Sequence, residues 1–137
     1  MQRHSHKPAI LISIMLLLVA PATQGANDLS SHWNGTWIAE GTLFKVAVLA
    51  EDGMLKVTQL ESLGFKWSNE DGVIDGNIAR LSVDYAGVKG VIQAELVAPD
   101  RAIVIAARCT PEFMVVCVLA KNRQAVFRKI QTTSALD

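Results

Sequence analysis

Two cysteines, four prolines, one tyrosine and three histidines in 137 residues leave few of the side chains from which reactive sites are built. His4 and His6 stand in an N-terminal stretch that reads as removable, so His32 is the one imidazole in the remainder. A single imidazole without a carboxylate or thiolate cluster beside it supplies neither a metal site nor a Ser-His-Asp triad. A phosphate-cradling glycine loop is missing as well, so the usual nucleophile and metal schemes lack parts. The expectation is a non-enzymatic protein with no catalytic residue, no metal and no cofactor. Glu70, Asp71 and Asp75 do cluster in sequence, but acids beside Gly72 and Gly76 are explained by turns whose backbone they satisfy. Their spacing is not that of an EF-hand loop.

Long apolar runs are scarce too. Ala9 to Ala20 (AILISIMLLLVA) is a run of twelve, preceded by Arg3 and Lys7 and bracketed by Pro8 and Pro21. Crossing a bilayer takes about 20 apolar residues, so the run reads as a signal-peptide core over residues 1–22. The small residues Ala20-Pro21-Ala22 suit a peptidase, and the cut could fall as late as Ala26. The expected product is exported, to the periplasm or the medium, with no stable membrane anchor once cleaved. Removing Arg3 and Lys7 leaves eleven Lys+Arg against thirteen Asp+Glu, a net charge near −2. Scattered charges of that balance give no footprint for nucleic acid or anionic lipid. About 115 residues remain, enough for one domain with its own core.

Helical periodicity is the third absence. After a small, polar leader over residues 23–31 (TQGANDLSS), short apolar-rich runs are cut by turn residues. Thr42 to Ala50 ends at Glu51-Asp52-Gly53. Leu55 to Leu60 and a run around Phe65 to Trp67 follow, the latter ending at Asn69-Glu70-Asp71-Gly72; Asp75-Gly76 is another turn. Ala79, Leu81, Val83 and Tyr85 alternate with Arg80, Ser82 and Asp84. Beyond Ala86-Gly87, residues Val88, Gly90, Ile92, Ala94 and Leu96 alternate with Lys89, Gln93 and Glu95. This is the period-two signature of half-buried antiparallel strands. Ala102 to Arg108, Phe113 to Ala120 and Ala125 to Ile130 complete about eight short-connected strands. Such a meander closes most economically into an up-and-down barrel over residues 32–130, because closure removes unpaired edges; a β-sandwich is the alternative. Residues 131–137 form a tail.

Cys109 and Cys117, in an oxidising compartment, are expected to pair. A tight turn at Thr110-Pro111-Glu112 would set Cys109 opposite Phe113 and Cys117 too far along, so either the loop is wider than it looks or the two stay reduced; the disulfide is the expectation. Phe113-Met114-Val115-Val116 then reads either as an apolar segment pinned by the bridge or as a buried strand, and a continuous apolar run of this length predicts the strand.

His32-Trp33-Asn34-Gly35-Thr36-Trp37 carries the remaining signals. Asn34-Gly35-Thr36 is formally a glycosylation sequon, and a Thr36 drawn into a strand would make its use awkward. His32 reads as an exposed residue before the strand. Trp33, Gly35 and Trp37 alternate, which places them on one strand face, and Arg128 lies in the last strand. A G-x-W near the start with an arginine on the final strand resembles the calycin superfamily of lipocalins, fatty-acid-binding proteins and avidin-like barrels. The resemblance implies that Gly35, Trp37 and Arg128 close the barrel floor, the guanidinium stacking on the indole. An eight-stranded barrel is just wide enough for its own side chains to fill it. The small residues Ala79, Gly90 and Ala94 mean either tight packing or space for a ligand, which Trp33, Trp37, Phe44, Trp67 and Tyr85, with Phe65, would then line. Two functions remain open: a binding protein holding a small hydrophobic or amphipathic ligand in its barrel, or an envelope factor acting on a protein partner through surface loops, as periplasmic lysozyme inhibitors do.

Overall fold

The computed structural model describes residues 29–130. The signal segment and its cut sites, most of the leader and the tail from residue 131 lie outside the described residues.

A short helix α1 (Ser30–Trp33) leads into strands β1 (Gly35–Ala39), β2 (Lys45–Glu51) and β3 (Met54–Glu61). Then come β4 (Trp67–Asn69), β5 (Gly72–Asp75), β6 (Ile78–Tyr85), β7 (Val88–Ala98) and β8 (Arg101–Thr110), a second helix α2 (Val115–Ala120), and β9 (Gln124–Lys129). All pairings are antiparallel. Eight strands close in the ring β1-β2-β3-β5-β6-β7-β8-β9, with β9 returning to β1, and β4 is an extra strand on β6. The barrel is therefore the all-β fold that the alternation predicts, and ring closure excludes the sandwich.

Closed rings force inward and outward alternation along every strand. Trp37, Val46, Leu55, Ala79, Leu81, Leu96 and Ala102 are buried. Arg80, Ser82, Asp84, Lys89 and Glu95 are exposed. Tight turns supply the positive φ angles of paired-strand corners: Asp52 and Gly53 at +52° and +74°, Ala86 and Gly87 at +49° and +80°.

Four features depart from the sequence reading. Trp33 is not on β1; it ends α1, one helical turn before the strand. Helical geometry lets its carbonyl accept a 2.9 Å hydrogen bond from the Trp37 indole Nε1–H. Asp71-Gly72 is no hairpin corner. The strand facing β6 is broken, β4 pairing with its Asn69 to Trp67 against Val83 to Tyr85 and β5 with its Val73 to Asp75 against Arg80 to Ile78. Gly72 is needed there because a Cβ would lie 2.8 Å from the Arg80 carbonyl oxygen. The break also leaves β3 with only Met54 and Leu55 paired to β5. Farther along that seam side chains bridge instead: Gln59 Nε2 donates to the Trp67 carbonyl at 2.7 Å and Asn69 Nδ2 to the Val57 carbonyl at 3.3 Å.

The largest departure is residues 113–120, expected as a strand: 113–114 are non-helical and 115–120 fold as α2. β8 and β9 pair only from Arg101↔Arg128 to Ile105↔Gln124, so the chain from 111 to 123 has no strand across from it. Its amides are met locally, Val118 N–H by the Met114 carbonyl and Lys121 N–H by that of Cys117. Apolar composition alone does not distinguish the two outcomes. The helix resolves the tension over the cysteines. It returns Cys117 to within 5.3 Å (Cα–Cα) of Cys109, and the two form a disulfide. Replacing both cysteines with serine should lower stability in urea denaturation by about 2.5 kcal/mol, the loop-closure value for so short a loop. Protein unfolded without reductant should show no free thiol.

Candidate functional site

Strand direction sorts the barrel ends. The corners at 52–53, 76–77 and 99–100 lie at one end with α1. The connections at 40–44, 62–66, 86–87 and 111–123 lie at the other.

The α1 end is the floor. Trp33 and Trp37 are each 3% exposed. Above the Trp37 ring sits the Lys129 ammonium, 5.1 Å from its centroid, which also donates to the His32 carbonyl. The Lys129 stem lies over Gly35, where a Cβ would come within 3.2 Å of its Cδ and where φ is +137°. The cation–π closure implied by the calycin resemblance is thus made by Lys129 rather than Arg128. Parity explains the correction: Phe127 and Lys129 share the inner face of β9, while Arg128 points out and pairs with Glu40 at 2.9 Å. The alternation of Ala125, Phe127 and Lys129 carried that signal in the sequence. Asn34, exposed, accepts a 2.7 Å hydrogen bond from the Ala50 amide, and His32 is partly buried within α1.

Burial lowers the Lys129 pKa from the ordinary 10.5, opposed by the Asp100 carboxylate. A lysine whose folded-state pKa is depressed binds fewer protons folded than unfolded. Its protonation therefore weighs against the fold at lower pH, and stability rises as pH climbs through the folded value towards 10.5. Lys129→Met, which keeps the stem, should flatten that alkaline rise in urea titrations.

Between floor and far end lies a cavity of about 360 Å³ with a lining that is apolar throughout. Trp33, Trp37, Phe44, Trp67 and Tyr85, the expected lining residues, all reach it, as does Phe65. The sequence reading missed Phe127 and the aliphatic wall of Val46, Val48, Val57, Leu81, Ile92 and Val104. At the mouth the aromatics contact one another. Phe44 stacks on Trp67 (centroids 6.2 Å apart) and meets Phe127 edge-on at 6.1 Å; Phe65 meets Tyr85 edge-on at 5.7 Å. Phe65 lines the cavity while 52% exposed, so the space opens to solvent here.

The filled core expected from barrel width is therefore not what forms. Ala79, Ala94 and Ala102 are among the lining residues, with Trp33 and Trp37 at the floor and the other rings towards the mouth. A core void of this size would cost roughly 9 kcal/mol at about 24 cal/mol per Å³. That rivals the whole net stability of a domain, about 5–15 kcal/mol. An apolar opening of this kind is a feature of the fold rather than a packing lapse. The Nε1–H groups of Trp33 and Trp67 are buried without a partner and do not face the open space. Each such group costs about 1–3 kcal/mol.

The acids Glu70, Asp71 and Asp75 sit at the β4–β5 break and the following corner, exposed. Among the described residues no three His, Cys, Asp or Glu side chains gather as metal ligands. Comparison with protein-family models, curated proteins and solved structures finds no match to this chain. The fold and cavity define the class on their own: a closed eight-stranded antiparallel barrel, compatible with a calycin-like barrel, with an apolar chamber open at one end.

Trp37→Ala should cost about 3–5 kcal/mol in urea denaturation, as for a buried aromatic. Arg128→Ala, removing a surface ion pair, should cost under about 1 kcal/mol.

Proposed function

We propose that this protein binds one small hydrophobic or amphipathic ligand inside the barrel and acts as an exported, non-enzymatic carrier or scavenger. The observation that carries the reading is the apolar chamber itself. Taking a methylene as about one water's share of liquid volume, ~30 Å³, the chamber accommodates on the order of a dozen such groups. Ligand pockets begin at about 300 Å³ and are mostly apolar with a few placed polar groups. The chamber wall presents almost no polar surface, so apolar contact supplies the affinity and any polar end of the ligand would sit at the open mouth. Oxidising conditions suited to the Cys109–Cys117 bridge fit export.

The test is native mass spectrometry of protein purified without organic solvent, with tryptophan fluorescence as a second readout because all three indoles line the chamber. A co-purifying small molecule at one per chain is the expected result. Ala94→Phe, which adds a ring to the lining, should weaken a fluorescent fatty-acid probe by at least about tenfold, or 1.4 kcal/mol, without lowering the melting temperature. A clean apo mass together with no uptake of any apolar probe would overturn the reading.

A further inference from the structure

Twelve large apolar side chains are prominently exposed among the described residues, and their distribution is uneven. Leu49, Val73 and Val97 are scattered over the wall and floor half. The other nine lie at the mouth, on three of its connections or beside them: Leu43, then Leu60, Leu63 and Phe65, then Phe113 and the outward residues of α2. Phe113 is 81% exposed, Val115 71% and Leu119 59%. Single exposed hydrophobics are ordinary, but nine of twelve gathered at one end of a barrel are not. The disulfide holds this collar in place, since Cys117, the buried residue of α2, is bridged to Cys109 on β8.

Charge is sorted the same way. Lys66, Lys121 and Arg123 stand exposed on the mouth connections, with Lys45 and Arg108 at adjoining strand ends. None of these five belongs to the three ion pairs of the described residues. Among the acids of this end, Glu40 is held by Arg128 and Asp84 by Lys89, Glu61 accepts the Leu63 amide, and Glu112 stands exposed beside Phe113. The opposite end carries Glu51, Asp52, Asp75 and Asp100 at its corners, with Glu51 paired to Lys56 and with Arg101 and Lys129 beside Asp100. Unpaired cations thus gather at the mouth, while the floor mixes both signs.

We propose that the mouth is a lipid-docking surface: the barrel sits mouth-down on an anionic bilayer, with Phe113, Val115, Leu119 and Leu43 entering the headgroup–acyl boundary and the lysines and arginines among the headgroups. An apolar rim surrounded by basic side chains is the pattern of interfacial binding. A protein partner would have to match an apolar ring around an open cavity, whereas a fluid bilayer matches any such contour. Docking goes beyond the cavity reading and does not depend on it, although together they place the chamber opening directly against acyl chains.

The experiment is co-sedimentation of the oxidised protein with vesicles of phosphatidylcholine plus phosphatidylglycerol, and with phosphatidylcholine alone, at low and high salt. Binding should favour the anionic vesicles, weaken with salt, and fall by at least about tenfold in the double variant Phe113→Asp, Leu119→Asp. Melting temperature and uptake of the fluorescent fatty-acid probe show whether that variant keeps its fold and chamber. Absence of vesicle binding, binding insensitive to the double variant, or self-association at the mouth that the variant abolishes would each overturn the proposal. Probe uptake without vesicle binding overturns docking alone; vesicle binding without probe uptake overturns the chamber reading alone.

Discussion

Closure of the hydrogen-bonded ring at β1 and β9 is the constraint on which the other features depend. Pairing Trp37 with Lys129 and Ala39 with Phe127 fixes the stagger of the last strand against the first, and with it the inward set of every strand between. One residue of slip would exchange Lys129 for Arg128 on the floor and turn Phe127 out of the chamber. Antiparallel order puts the corners at 52–53, 76–77 and 99–100 at one end and the three longer connections, with the 86–87 corner, at the other. Floor and mouth are thus consequences of strand order and register.

Much of the barrel was legible because period two is a local property. Ala79 to Tyr85 and Val88 to Leu96 announce their inner faces within a few residues, and Asp52-Gly53 and Ala86-Gly87 mark corners whose backbone demands small or permissive residues. The aromatic lining was legible for a related reason, since few rings were available and all but Phe113 line the chamber. The failures share one cause: each depended on a partner distant in sequence. Phe113 to Ala120 looks like a strand until the end of β8–β9 pairing leaves it without a neighbour. Gly72 looks like a turn residue until the Arg80 carbonyl approaches it. Lys129 against Arg128 was a matter of parity, readable in principle and obscured by the family pattern.

The chamber shows how residue size, rather than hydrophobicity, decides whether a barrel is a packed core or a vessel. Its wall is as apolar as any core, but three of its lining positions, 79, 94 and 102, carry only alanine. The bulk is displaced to the floor, where Trp33 and Trp37 seal one end, and to the ring of Phe44, Phe65, Trp67, Tyr85 and Phe127 at the other. Volume was not readable from composition because it is a sum over facing positions that only register defines.

The seam between β3 and β4 gives the wall a weakest line. Elsewhere neighbouring strands are zipped by backbone ladders, but from Val57 onward β3 is joined to β4 through the amide side chains of Gln59 and Asn69. Two such bonds amount to about 2 kcal/mol net, far less than parting a ladder that spans a whole strand. Local opening is expected to begin along this line before any ladder parts. The barrel is thus fastened unevenly around its girth, and a load on the wall would fall first on two amide side chains.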